Sequence, residues 1–224
     1  MSVRNDEERA YLRTHSRRYD FLLAALRRMP RFTRLVDVGP SYESELIRGA
    51  FPSARVDTIG FHDARFPLRD GEIHTELDLN ELADSARWPS IGPYDVIVCA
   101  EVVEHLYVSP VHLLRMFRSI VEPDGRVIVQ TPNAAALSRR FWLLAGRNPF
   151  ELLREDLHQA GHVREYTLAE LEGLAARAGF AVEHAERQNY FLTGSWKNRL
   201  LVDAGFLTPA PLRQGITLEL RATT

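Results

Sequence analysis

The chain carries a single cysteine, Cys99, so no internal disulfide can form and no cysteine cluster can hold a metal; a reducing compartment, by default the cytoplasm, is the expectation. Lysine is equally scarce. Lys197 stands alone, and arginine supplies the remaining positive charge, a pattern that reads as coding bias rather than as an arginine-specific surface. No apolar run reaches the ~18 residues of a membrane-spanning helix, and the opening MSVRNDEERAYLRTHSRRYD is too charged for the apolar core of a signal peptide. Neither sign of charge is in excess: 28 Lys and Arg oppose 30 Asp and Glu, a formal net charge of -2. A nucleic-acid partner would need a local basic patch and is not expected. The GxGxxG fingerprint of dinucleotide-binding folds is missing as well, since Ser41 and Ser44 stand where glycines would be needed. What remains is ordinary globular composition, 45% hydrophobic and 26% charged over 224 residues, enough for one domain spanning 1–224 with a full core.

Apolar residues at helical spacing (Tyr11, Leu12, Tyr19, Leu22, Leu23, Leu26) predict one or two N-terminal amphipathic helices between Asp6 and Met29, a helical cap over residues 1–30. Strand and helix signals then alternate. Strands are expected at Arg34 to Val38, Ala54 to Gly60, a segment ending near Asp78, Tyr94 to Ala100, and Arg126 to Thr131 after the turn Glu122-Pro123-Asp124-Gly125. Helices are expected from Tyr42 to Ala50, a short one from Asn80, and from Pro110 to Val121. Such alternation predicts βαβ units and a parallel sheet covered on both faces, with ligands beyond the carboxyl ends of its strands. The rhythm breaks at residues 134–161, aromatic-rich helical text that makes a candidate lid; Phe141, Trp142, Leu143 and Leu144 fit a core face better than a lipid surface. A helix from Thr167 to Ala178, a strand from Phe180 to Ala185, a substrate-side loop and helix over 188–211, and a strand from Ile216 to Arg221 complete the chain.

Chemistry concentrates where strands turn into loops. Leu35-Val36-Asp37-Val38-Gly39-Pro40-Ser41 closes the first strand, and a glycine there lets backbone approach a ligand with no Cβ in the way. Adenosine-binding folds often place a ribose-binding carboxylate at the end of the second strand, where this chain has Gly60; Asp63 is the carboxylate that can reach in from the loop. Asp78 can accept from an adenine amino group or cap the helix that follows it. The densest cluster is Glu101-Val102-Val103-Glu104-His105, two carboxylates and an imidazole at i, i+3 and i+4 beyond the fourth strand.

Val36-Asp37-Val38-Gly39, Tyr94-Asp95-Val96-Ile97-Val98, Glu101 to Leu106, Pro123-Asp124-Gly125-Arg126 and Thr131-Pro132-Asn133 together resemble the class I S-adenosylmethionine-dependent methyltransferases, over about Arg34 to Phe180. The stretch from His162 to Phe180 is similar to the bacterial small-molecule and glycan-pathway members of that family. The resemblance implies a Rossmann-like, doubly wound α/β sheet of seven strands, mostly parallel with the last antiparallel. It also implies S-adenosyl-L-methionine across the carboxyl ends of the first, second and fourth strands. Asp37, Gly39 and Ser41 would then line the methionine end, Asp78 and Leu79 the adenine, and Ala100 and Glu101 the floor under the sulfonium, with Tyr19 as an aromatic cover. Ser41 in place of a second glycine and the missing carboxylate at Gly60 are departures from the family pattern.

The reaction expected is methyl transfer to a small-molecule or sugar acceptor at a hydroxyl, with no metal. A hydroxyl benefits from a base, and His105 is the first candidate because imidazole titrates near neutrality; His162 and Tyr166 follow, on the lid side. Two rival readings use the same residues. Glu101, Glu104, His105 and His162 resemble the divalent-cation cluster of small-RNA 2′-O-methyltransferases, against which stand the net charge, the lack of that family's proline pair, and the same Glu-x-x-Glu-His block in metal-free relatives. A non-catalytic cofactor-binding regulatory module would have no need of the second Glu-His block or the aromatic lid. A homodimer is compatible with the chain.

Overall fold

The protein is described by a computed structural model over residues 6–155, 161–190 and 208–223. Seven strands, β1 (Arg34–Val38), β2 (Arg55–Gly60), β3 (His74–Glu76), β4 (Tyr94–Ala100), β5 (Val121–Pro132), β6 (Phe180–Gln188) and β7 (Gly215–Ala222), form one sheet in the order β3-β2-β1-β4-β5-β7-β6. Strands β1 to β5 pair in parallel, and β7 runs antiparallel to both β5 and β6. The helices are α1 (Asp6–Arg28), α2 (Tyr42–Ala50), α3 (Pro110–Ile120), α4 (Leu137–Leu144) and α5 (Leu168–Arg177). Strand order reverses between β1 and β4, which opens a crevice at their carboxyl ends.

The strands are apolar on both sides, as a doubly covered sheet requires. Leu35, Val56, Val96, Val98 and Ile128 pack with Leu22, Ala25 and Leu26 of α1 and Ile47 of α2. Their alternating neighbours Val36, Ile97, Cys99, Val127 and Val129 pack with Leu113, Phe117 and Ile120 of α3 and Leu171 and Ala175 of α5. Asp95 ties the two central strands at their amino ends, accepting from the Thr33 and Arg34 amides at 2.7 and 2.9 Å and from the Thr33 hydroxyl at 3.1 Å. Partial burial raises the Asp95 pKa, but these hydrogen bonds outweigh it and hold the carboxyl below its usual value. Its contribution to stability is therefore complete above the unfolded carboxylate pKa near 3.8 and is lost as pH falls through the lower folded value. Asp95→Ala should cost about 1–2 kcal/mol at pH 7, and the gap between wild type and variant in urea unfolding should close below about pH 4. A gap that stays constant down to pH 3 would refute this role.

The N-terminal segment is one continuous helix of 23 residues, within the expected one or two. Two expectations are corrected. β5 begins at Val121, which pairs with Tyr94; the Glu122 to Gly125 turn is an irregularity inside the strand, tight enough that a Cβ on Gly125 would come within 2.5 Å of Val121 Cγ2. The apolar face of α4 is not core: Trp142 is 48% and Leu144 85% exposed. That helix projects beyond the end of β5, outside the layers that bury α3 and α5. The 188–211 expectation falls largely on residues outside those described. Among the described residues no helix is long and apolar enough to cross a membrane.

Candidate active site

A cavity of about 460 Å³ opens at the carboxyl ends of β1, β2 and β4, between Gly39, Gly60, Asp63, Asp78, Glu101 and His105. Gly39 leaves β1 at φ +80°, a conformation that favours glycine, and its amide donates to the Ile59 carbonyl at 2.8 Å. Gly60 ends β2 at φ +127°, with space for a Cβ only 3.5 Å from the Gly39 amide nitrogen. The two glycines thus pack backbone against backbone beneath the cavity. A carboxylate-bearing residue at 60 would be strained by the +127° φ rather than by that contact, which accounts for the departure noted above. Asp63 does reach the cavity, its carboxylate paired with Arg65. Asp78 caps the short turn Leu79–Ala83 through the Asn80 amide at 2.9 Å and also stands on the cavity wall beside Leu79. That position lets Asp78 cap the turn and face the cavity.

Asp37, Ser41, Ala100 and Tyr19 are not among the residues that line this cavity. Ser41 is the N-cap of α2, accepting from the Glu43 amide at 3.2 Å while Ser44 Oγ accepts from the Ser41 amide at 3.1 Å. A serine rather than a glycine is what this capping arrangement needs. Ser44 in turn donates to Asp37, joining α2 to the end of β1. Burial and the nearby Glu43 push the Asp37 carboxyl up. Glu43 forms an ion pair with Arg18 at 2.9 Å, both side chains no more than 3% exposed, and the Arg18 guanidinium lies 4.7 Å from the centre of the Tyr19 ring. Burial raises the Tyr19 phenol. Arg18 and Glu43 escaped the sequence reading because nothing in their local spacing announces a pair between α1 and α2.

Beyond β4 the backbone turns through Glu101 at φ +56°, an unusual conformation for a residue with a side chain. The Glu101 amide donates to the Gln130 carbonyl at 2.8 Å, and its Oε1 is enclosed without a hydrogen-bond partner among the described residues. Burial, and then Glu104, push the Glu101 carboxyl well up. The turn Val103–His105 follows, with Glu104 fully buried and accepting from Thr131 Oγ1 at 2.9 Å. Burial pushes the Glu104 carboxyl up to about 7. The Glu104 carbonyl receives the amides of Val163 and Arg164 at 2.8 and 3.1 Å, which straps the segment after residue 160 onto this turn.

That strap brings His162 beside His105, ring centres 5.0 Å apart and nearly perpendicular. His105 Nδ1 lies 3.1 Å from the Gly161 carbonyl, and His162 Nδ1 lies 3.0 Å from Glu165, whose hydrogen bond raises the imidazole pKa. Glu165 is held in place by Arg139. The sequence reading missed both Arg139 and Glu165, since a pair 26 residues apart across an insertion leaves no periodic trace. Tyr166 is buried beside Asn133 and lines a separate cavity toward α3 and α5, not the one holding His105.

A family model described as a methyltransferase domain matches residues 8–185. A ubiquinone biosynthesis O-methyltransferase of Aeromonas salmonicida is 27% identical over 185 residues, 78% of this chain and 74% of that protein. Its namesake in Acinetobacter baumannii is 26% identical over 127 residues, covering 52% of this chain, which spans about half (49%) of that relative's length. Among solved structures, the magnesium protoporphyrin IX methyltransferase of Synechocystis, with bound S-adenosylhomocysteine, superposes with a TM-score of 0.58 at 15% identity, covering 100% of this chain and 90% of that one. The fold is therefore that of the class I S-adenosylmethionine-dependent methyltransferases. The chain belongs to this methyltransferase family, and its cofactor is S-adenosylmethionine.

Proposed function

We propose that the protein methylates a small-molecule or sugar acceptor at a hydroxyl oxygen. The observation that carries this reading is the position of His105, an imidazole on the wall of the cofactor cavity with its Nδ1 committed to a backbone carbonyl. A carbonyl only accepts, so Nδ1 carries the proton and Nε2 is the basic nitrogen, fit to take a proton from a hydroxyl. S-adenosylmethionine, when bound, supplies a methyl carbon already activated by a positively charged sulfur. The protein has to align the acceptor and exclude water.

Gly39 and Gly60 leave the room that the cofactor's close approach needs, Asp78 and Leu79 offer an adenine wall, and Asp63 is the carboxylate available to ribose hydroxyls. Tyr19, Asp37, Ser41 and Ala100 are not part of this wall. A second cavity, about 300 Å³ and lined mainly by Leu137, Phe141, Trp142 and Leu212, lies at the same end of the sheet and suits the apolar body of an acceptor. The names of the O-methyltransferase relatives favour oxygen as the target. His162, at the rim, and Tyr166, on the far side of the strap, serve as positioning groups in this reading.

Calorimetric titration with S-adenosylhomocysteine, followed by a screen of hydroxyl acceptors with labelled S-adenosylmethionine, tests it. His105→Gln should lower turnover about 10²-fold with cofactor affinity changed less than about threefold, under 0.7 kcal/mol. Cofactor binding with no transfer to any hydroxyl, or full turnover in the variant, would count against the assignment; the first result would favour the regulatory-module alternative.

A further inference from the structure

We infer that the carboxyl end of α4 docks the protein on an anionic lipid surface, its apolar turn entering the boundary between headgroups and acyl chains. Among the described residues twelve large hydrophobic side chains are exposed, and six of them lie between Phe141 and Leu153. Such a concentration marks an interaction surface rather than scattered surface residues. Phe141, Trp142, Leu143 and Leu144 are consecutive, so at about 100° per residue they point to every side of the helix instead of along one stripe. A folded partner, a second copy of this chain included, covers one side of a projecting helix. A helix end that is apolar all round requires surroundings that close about it, and lipid does so.

The backbone of this end is already satisfied for leaving water. Helices ordinarily leave their last carbonyls to solvent, yet the Phe141, Trp142 and Leu143 carbonyls accept from the amides of Ala145, Arg147 and Gly146 at 3.0, 2.8 and 2.9 Å. Gly146 makes the reversal at φ +71°, the glycine-closed helix end in which two amides turn back onto the final turn. Carbonyls paired in this way can enter apolar surroundings without a lost hydrogen bond.

Charge selects the kind of lipid. The chain has a formal net charge of -2, whereas residues 137–155 hold four arginines against two glutamates. Arg139 is paired with Glu165 and Arg154 with Glu151. Arg140 and Arg147 are exposed, and among the described residues neither forms an ion pair. Arg140 Nε donates back to the Ala135 carbonyl at 3.0 Å, which sets its charge behind the apolar turn, at headgroup depth. The Arg147 guanidinium lies 5.3 Å from the centre of the Trp142 ring, and an indole beside a cation suits the same boundary. Phe141 and Trp142 also line the cavity of about 300 Å³ described above, so an apolar acceptor held in the lipid would reach it without crossing water. That consequence, unlike the docking, rests on the hydroxyl-methylation reading.

The test sediments the full-length protein with vesicles of equal parts phosphatidylcholine and phosphatidylglycerol, with vesicles of phosphatidylcholine alone, and without lipid. S-adenosylhomocysteine affinity is measured in parallel. Wild type should bind the mixed vesicles, and Leu144→Glu should bind them at least about tenfold more weakly with cofactor affinity unchanged. Leu144 is 85% exposed and lines neither the cofactor cavity nor the one beside Trp142, so the substitution leaves the fold intact. Arg140→Gln and Arg147→Gln should each weaken binding about fivefold, an effect that shrinks as salt is raised. Absence of binding to the mixed vesicles, or equal binding by wild type and Leu144→Glu, would overturn the docking; equal binding to phosphatidylcholine alone would overturn its anionic character. Self-association without lipid that Leu144→Glu abolishes, in a protein that ignores vesicles, would assign the helix end to a second copy instead. Vesicle binding in a protein that transfers no methyl group would keep the docking and defeat the methylation reading.

Discussion

Arg18→Met should destabilise the protein by about 3–5 kcal/mol, because it removes one member of a buried ion pair and leaves the other uncompensated. Arg18 and Glu43 are 3% and 2% exposed, and the guanidinium also acts on Asp37, another fully buried carboxyl. Burial already pushes both acids up, so without Arg18 each must either take a proton or remain charged in a dry setting. Such a loss is a large share of the 5–15 kcal/mol by which domains are typically stable. The double variant Arg18→Met/Glu43→Met should recover most of it, since replacing a buried pair by apolar side chains of similar volume is often neutral. Urea unfolding of the three proteins, with the slope held constant, reads the difference as a shift in midpoint. A single variant within about 1 kcal/mol of wild type would show that the pair is solvated in solution.

Much of the frame is legible in the sequence because local signals and the fold agree. The Tyr42 to Ala50 helix and the Tyr94 to Ala100 strand fall where periodicity puts them, and Gly39, Asp78, Leu79, Glu101 and His105 do meet on one cavity. The antiparallel last strand was available only through the family resemblance, since a strand's own residues do not state its direction. What escaped is tertiary. The Arg18–Glu43 pair joins two helices, and the Arg139–Glu165–His162 chain joins an insertion to a strap; neither obeys a helical or strand period. Burial of α4 was expected from its apolar spacing, yet spacing reports only that residues share a face, not that another element covers it. Ser41 shows the opposite relation: a departure from the family pattern that weakened the motif turns out to cap α2.

Gly39→Val should weaken S-adenosylhomocysteine binding by about two orders of magnitude, roughly 3 kcal/mol, and the reason is local. At φ +80° a β-branched residue is strained, at a cost of about 1–2 kcal/mol to the fold. The first added carbon has room, 3.8 Å from Val102 Cγ2, so the chain need not rearrange to accept it. The two methyl groups beyond it, however, must enter the space that the cavity keeps for the cofactor. Strain and occlusion can be separated with Gly49, which lies in α2, has nothing within 4 Å of its would-be Cβ and does not take a positive φ. Gly49→Ala should raise stability by about 0.5–1 kcal/mol through helix propensity alone. Combined with Gly39→Val it should restore part of the melting temperature and none of the affinity. If the second substitution recovers binding together with stability, the loss came from a loosened fold, and the close backbone approach at Gly39 is not what the cofactor needs.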